Sequence, residues 1–391
     1  MSCRLLALAQ TFWEGGQWMN RQQILSRLAS THNVLYSNGP WSIWDRHLPE
    51  FQESPLAGAF ERRDGVWLDR PPRLLLSWPS HPSWDQLATR LAVKRWQRKL
   101  ATLGQGPTIA YVFDPRYARY AERAGTDFLV YSPYDMFSKM PGWSAENAAD
   151  EQRLLSRCTL AITSSEPTRE ALQPLTSKPV FCVPNGVDAE MFVAGTSSPT
   201  PADLAVIPRP RIGYVGSLNR KVAFGLIAAL ARREPSWHFV FIGPQGNCDE
   251  LTHAHITHCR QLPNVHFLPS RPISELPACM GGMDVGLLCY RSNTWMEFAY
   301  PLKLNEYLAV GLPVVGTPLL SLRDQREWID FASDESSWHE AIARALRGQG
   351  CSTPAARRAE ARRNDWAGKV ALINGILAAA VGGMLAGLLD L

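Results

Sequence analysis

A chain of 391 residues, 46% hydrophobic and 19% charged, is longer than one ordinary domain and has the composition of a folded protein. Its net charge of +4 is too small to argue for nucleic acid, and no basic run interleaved with aromatics marks a nucleic-acid module. The eight cysteines are scattered without a Cys-x-x-Cys pair, which argues against a disulfide framework and for a reducing cytoplasm.

The apolar start from Leu5 to Ala9 runs directly into Gln10-Thr11-Phe12-Trp13 with no cleavage-type site, so it reads as a first strand and not a signal peptide. Further strands are predicted at 33–36, 73–77, 108–113, 127–131, 159–163 and 180–183. Helices are predicted between them at 19–29, 83–100, 116–123, 145–157 and 166–172, the alternation of an open parallel sheet. A Ser/Thr/Pro-rich stretch from Ala194 to Pro210 has linker composition and marks a domain boundary. A second alternating series follows, with strands at 212–215, 238–242, 265–268, 284–288 and 313–315. Its helices are predicted at 223–232, 273–279, 302–310 and 338–347. The expected organisation is therefore an α/β domain over 1–200, a second over 205–350, and a helical tail over 351–391. Two such domains place a ligand cleft at strand carboxyl ends.

The segment from Tyr300 to Thr317 is the most informative. A proline opens a short amphipathic helix, Gly311 closes it, and Val314-Val315 follow as a buried strand. Lys303 and Glu306 lie three residues apart on one face near the helix start. A cation there suits a diphosphate, and a carboxylate there suits the hydroxyls of a ribose. A surface helix with one ion pair is the ordinary alternative. Upstream, Gly213, Gly216 and Ser217 end a strand, where glycine lets a phosphate approach the backbone; a structural turn explains them equally well.

Taken in order, several segments resemble the GT-B glycosyltransferases of the group one, or family four, type: Val183 to Asp188, Arg211 to Leu218, Phe239 to Pro244, Asn264 to Pro269, Met283 to Leu288 and Tyr300 to Thr317. The resemblance implies two Rossmann-like domains facing each other across a cleft, with an N-terminal acceptor domain and a C-terminal nucleotide-sugar domain. It implies transfer of a sugar from a nucleotide diphosphate to a carbohydrate or lipid-linked saccharide in surface polysaccharide synthesis. Glu306 would hold the ribose, Lys303 the diphosphate, and Gly216, Ser217, Arg220 and Leu304 would complete the donor site. The family's second acidic residue would fall at Phe298, with Glu297 one residue away; Asn293, Thr294 and Tyr300 are secondary candidates for sugar or base. A UDP-sugar is expected over a GDP-sugar, with no cofactor. No Asp-x-Asp motif occurs, so metal-independent turnover is expected. A tryptophan-containing final helix, here with Trp366, would cross back to the first domain. The alternatives are a GT-B nucleotide-sugar epimerase and a non-catalytic nucleotide-sugar-binding scaffold.

Val130 to Phe137 resembles the strand-end aspartate motif of xanthan-type glucuronosyltransferases, which makes Asp135 the candidate catalytic base. An Asp capping the following turn fits as well, and Asp114 is the rival at another strand end. Gly15 and Gly16 form the expected acceptor-entry loop, with Trp13 and Trp18 able to stack on a sugar or to fill the core. Cys248, His253, His255, His258 and Cys259 match no standard zinc spacing and read as a solvated helix or loop. The helix at 83–100 carries Arg90, Lys94, Arg95, Arg98 and Lys99 beside Trp84, Leu87, Leu91 and Trp96. It suits either an anionic lipid surface or an ordinary solvent face. The run from Val370 to Leu389 is long enough to span a bilayer but is broken by Asn374, Gly375, Gly382, Gly383 and Gly387, so peripheral contact with the cytoplasmic face of the inner membrane is expected over spanning.

Overall fold

The computed structural model describes residues 2–14, 18–78, 80–292 and 295–385. Its contacts divide the chain into two compact units, one of Met1–Pro184 with Val370–Leu391 and one of Asn185–Lys369.

The first unit is built on eight strands: β1 (Arg4–Leu8), β2 (Asn33–Ser37), β3 (Ala59–Arg63), β4 (Val66–Arg70), β5 (Thr108–Val112), β6 (Phe128–Tyr131), β7 (Leu160–Thr163) and β8 (Val180–Cys182). Their order in the sheet is β3-β4-β2-β1-β5-β6-β7-β8. Central β1 and β5 are apolar along their length, as parallel strands covered on both faces must be. All neighbours are parallel except β3 and β4, a hairpin turned by Asp64 and Gly65, both at positive φ. This hairpin takes the place of the strand expected at 73–77. Pro71 and Pro72 remove two ladder donors there, and only Ser77 forms an isolated bridge, to Ser42, while Leu74 faces solvent.

The second unit has six parallel strands: β9 (Arg211–Val215), β10 (His238–Ile242), β11 (Val265–Leu268), β12 (Val285–Leu288), β13 (Val314–Gly316) and β14 (Ile329–Phe331). Their order is β11-β10-β9-β12-β13-β14. The sequence reading found all of these but β14, which is too short to show a period. Tyr214, Tyr307, Phe224, Phe239, Phe241 and Trp338 fill the core. The Ser/Thr/Pro stretch at 194–210 packs within this unit: Leu204 and Ile207 are buried, and a Cβ on Gly195 would sit 2.5 Å from Pro277.

Two helices end the described chain, Pro354–Arg363 and Trp366–Val381. Trp366 is buried, and its N–H donates to Val187 O while Val187 N–H donates to Asn364 O. Within the first unit, Cys3 N–H donates to His32 Nδ1, so Nε2 carries the ring proton and donates to Asn374 Oδ1 at 2.7 Å. The polar break in the apolar tail is therefore a specific acceptor, with Ile373, Ile376 and Leu377 buried around it. Among the described residues, no helix is long and apolar enough to cross a membrane.

Candidate functional site

The order of the second sheet reverses between β9 and β12, and loops leaving the carboxyl ends on either side of such a reversal are where open α/β sheets bind ligands. Here these loops are stitched together. Val222 and Tyr290 form an antiparallel bridge, Ala223 N–H donates to Cys289 O at 2.9 Å, and Arg291 N–H donates to Lys221 O at 2.7 Å. Thr317 Oγ1, at the end of β13, donates to Tyr290 O at 2.8 Å and accepts from Tyr290 N–H at 3.2 Å.

The loop after β9 keeps a strand-like alternation. Gly216, Leu218 and Arg220 donate their amides to Ile242, Pro244 and Asn247 on the β10 side. Val215 points the other way, and its N–H donates to Tyr307 Oη at 2.9 Å. By the same alternation the next amide on that side is Ser217 N–H. Tyr307 is fully buried, and burial holds its hydroxyl well above its ordinary pKa, so it stays neutral. Close backbone approach requires glycine in this loop pair: a Cβ on Gly243 would lie 2.1 Å from Gly216 O, and both glycines have positive φ.

Tyr307 belongs to the helix Leu302–Val310, which Pro301 caps and Gly311 ends at φ 81°. Asn305 anchors it by donating to Asn185 O at 2.7 Å, and Asn185 donates to Tyr300 O at 2.8 Å. The helix thus presents Lys303 and Glu306 from its first turns, beside the strand-end loops. Lys303 Nζ donates to Glu306 Oε2 at 2.5 Å, with side chains 19% and 8% exposed. Among the described residues, nothing hydrogen-bonds to the second oxygen, Oε1, and two ammonium hydrogens are spare. A buried carboxylate with one lone-pair face unused is poised to accept from hydroxyls.

The other expected donor residues are distributed unevenly. Gly216 and Ser217 sit in the loop; Ser217 Oγ accepts from Asn219 at 3.3 Å, and its carbonyl accepts from the Tyr214 hydroxyl. Arg220 follows within reach of Asp249, which also pairs with Arg291 at 3.6 Å. Leu304 is fully buried in the core, leaving only its main chain near the surface. Glu297 is engaged in loop structure, accepting from Leu320 N–H at 2.8 Å and Ser292 Oγ at 2.9 Å. Asn293 and Thr294 lie outside the described residues. The Cys/His segment forms the helix Glu250–Arg260, and no group of three potential metal ligands comes together among the described residues.

In the first unit the sheet order reverses between β1 and β5. Asp114, after β5, is fully buried and held by Arg116 through Nε at 2.9 Å, Nη2 at 2.6 Å and the backbone N–H at 3.0 Å. Its oxygens are committed, which removes it as a base. Asp135, after β6, is half-buried and adjoins Tyr134, whose ring lies 4.3 Å from the Arg21 guanidinium. Burial pushes the Tyr134 hydroxyl up to about 12, with Arg21 opposing and Asp114 and Asp135 adding to the shift. Trp13 is buried, edge-on to Tyr36, and donates to Asp64 at 2.9 Å; Trp18 packs against Trp13. Gly15 and Gly16 lie outside the described residues. Tyr134 lies within the motif from Val130 to Phe137, whereas Arg21, in the first turn of the helix Asn20–Leu28, had no signal in the sequence.

Residues 209–348 match the family described as Glycosyl transferases group 1. TuaH of Bacillus subtilis (strain 168), a protein assigned to teichuronic acid biosynthesis as a glycosyltransferase, is 31% identical over 174 residues. That match covers 44% of this chain and 43% of the relative, so the chain spans under half the length of the curated relative it matches. Among solved structures, sucrose-phosphate synthase from Thermosynechococcus elongatus has TM-score 0.74 at 13% identity, covering 97% of this chain and 99% of its own. Anabaena HepE, solved in complex with UDP and glucose, has TM-score 0.68 at 17% identity, covering 96% and 99%. A UDP-forming trehalose-phosphate synthase from Burkholderia xenovorans has TM-score 0.68 at 13% identity, covering 98% and 99%. The fold is GT-B.

Tyr307→Phe removes the acceptor for Val215 N–H and leaves a buried donor unpaired. The expected loss is about 1–2 kcal/mol of unfolding free energy, read by denaturant titration. An unchanged midpoint would show that this bond does not tie the helix to the sheet.

Proposed function

From a chain whose residues 209–348 form a group 1 glycosyltransferase domain within a GT-B fold, we propose that this protein transfers a sugar from a nucleoside diphosphate to a saccharide acceptor. The observation that carries the reading is the Lys303–Glu306 pair, presented at the carboxyl edge of the second sheet with Glu306 Oε1 unused. The ribose hydroxyls donate to Glu306. Lys303, Arg220 and the Ser217 amide face the diphosphate and stabilise the negative charge that develops on it as the glycosidic bond breaks. UDP is the inferred nucleotide, supported by the UDP-bound relative of the same fold. The acceptor binds the first unit near Asp135, which takes the proton of the attacking hydroxyl. An acceptor from surface-polymer synthesis agrees with the role assigned to the Bacillus relative.

A lipid-linked acceptor also fits the first unit's surface. Trp44, Leu74, Trp78, Trp84, Leu87 and Leu91 are all exposed large apolar side chains. A groove of about 830 Å³ runs among Ile43, Leu74, Leu76, Trp78, Trp84 and Leu87. Arg46, Arg90, Lys94 and Arg98 are exposed on the same segments. Tryptophans and leucines flanked by cations match the interface of an anionic bilayer, and we infer peripheral attachment there.

Asp135→Asn is expected to lower kcat by about 100-fold or more while leaving UDP affinity within twofold, because it removes proton transfer and not donor contacts. Lys303→Ala is expected to lower kcat by a similar factor through lost charge stabilisation. Sugar release assayed with a panel of UDP-sugars and acceptors reads both; full activity of Asp135→Asn would retire it as the base. Co-sedimentation with vesicles tests attachment. Binding to phosphatidylglycerol vesicles should exceed that to phosphatidylcholine and fall on Trp78→Ala with Trp84→Ala, whereas equal binding to both lipids would refute it.

A further inference from the structure

Among the described residues of the first unit, Arg21 is a buried charged side chain whose placement the fold does not explain. It stands in the first turn of the helix Asn20–Leu28, is 3% exposed, and has no ion pair among the described residues. Nη2 donates to Thr11 Oγ1 at 2.6 Å, and the guanidinium stacks on Tyr134 at 4.3 Å. Among the described residues, Nε and Nη1 are buried without a hydrogen-bond acceptor. An unpaired, desolvated guanidinium is costly, and its unused N–H groups call for an anion.

The surroundings say where that anion would come from. Tyr36, whose hydroxyl feels both the charge of Arg21 and a hydrogen bond from it, lines a pocket of about 420 Å³ at the carboxyl ends of β1 and β2. Thr11, the residue that Arg21 grips, lies between Gln10 and Phe12 of the same lining. Phe12, Trp41 and Tyr117 give the pocket aromatic faces, and Asn38 and Glu50 give it polar groups. Its other acids are already engaged. Asp69 takes Arg95, Trp96 and Ser37, Glu14 takes Arg63 and Arg70, and Asp45 takes the Ser42 amide. On the opposite side Arg21 rests on Tyr134, the neighbour of Asp135. Among the described residues no carboxylate supplies what Arg21 lacks, and the position adjoins both an aromatic pocket and the proposed base.

We propose that Arg21 anchors an anionic group of the acceptor, a carboxylate or phosphate carried on a sugar ring that lies against Tyr36 and Tyr134. The inference rests on the transferase reading and narrows its acceptor to a uronate or a sugar phosphate. Arg21 then selects and positions the acceptor, while the proton transfer stays with Asp135.

The test uses the full chain and thermal shift with D-glucuronate, D-glucose 6-phosphate, D-glucose and inorganic phosphate at matched ionic strength. One of the two anionic sugars should raise the melting temperature saturably, with D-glucose at least tenfold weaker. Whichever is the stronger identifies the anion as carboxylate or phosphate. Arg21→Met should weaken that ligand by tenfold or more, with UDP affinity unchanged, and Arg21→Lys should restore part of the loss. The proposal is overturned if D-glucose matches the anionic sugars, if inorganic phosphate matches the sugar phosphate, or if Arg21→Met keeps the affinity. Should Arg21→Met fail to fold, the wild-type comparison of charged with neutral sugar and the Arg21→Lys variant decide alone. UDP titration of the wild-type protein separates the two claims. Failure to bind UDP sinks the donor site, whereas UDP binding without preference for anionic sugars sinks only this inference.

Discussion

The hydrogen bond from Val215 N–H to Tyr307 Oη sets the geometry of the second unit's site. It spends the last inward-facing amide of β9 on a side chain of the helix Leu302–Val310, and so fixes that helix against the point where the sheet order reverses. Because Tyr307 is adjacent to Glu306 and one turn from Lys303, the same bond sets where the acid and the cation stand relative to the loop carrying Gly216 and Ser217. Burial keeps the tyrosine neutral, so the bond holds across the physiological pH range. The contact between Gly243 and Gly216 serves the same end, because any Cβ there would push the two loops apart.

The two units treat their charges differently. In the second, the ion pair of Lys303 and Glu306 is satisfied within the protein yet leaves hydrogen-bonding capacity on both partners. In the first, Asp114 is closed by Arg116 on both oxygens, while Arg21 is left with donors that reach nothing. An acid closed by its own ion pair at one strand end contrasts with an unsatisfied cation on the helix Asn20–Leu28. The closed pair shapes the loop, and the open group is the one we propose for a ligand.

Much of this was legible in the residues, and the failures have physical causes. The helix Leu302–Val310 was read to the residue because Pro301 and Gly311 punctuate both ends and Gly311 needs a left-handed φ. Central strands were read from continuous apolar runs, which only burial on both faces produces. The β3–β4 hairpin was missed although Asp64-Gly65 is a strong turn signal, because Phe60 and the charged residues around it show no core-facing alternation. The 194–210 stretch reads as a linker from its Ser, Thr and Pro content, yet Leu204 and Ile207 bury it within the second unit. Arg21 was invisible for a related reason. In Asn20–Leu28 the polar first turn, Asn20 to Gln23, is buried together with Ile24, Leu25 and Leu28, against the rule that polar helix residues meet solvent.

The central claim is that Glu306 accepts from the ribose hydroxyls of a nucleoside diphosphate. The most direct measurement is calorimetric titration of UDP and of 2′,3′-dideoxy-UDP into the wild-type protein and into Glu306→Ala. Loss of the two hydroxyls should cost the wild type about tenfold or more in affinity and cost the variant almost nothing, since the partner is already gone. An equal loss in both proteins would contradict the account.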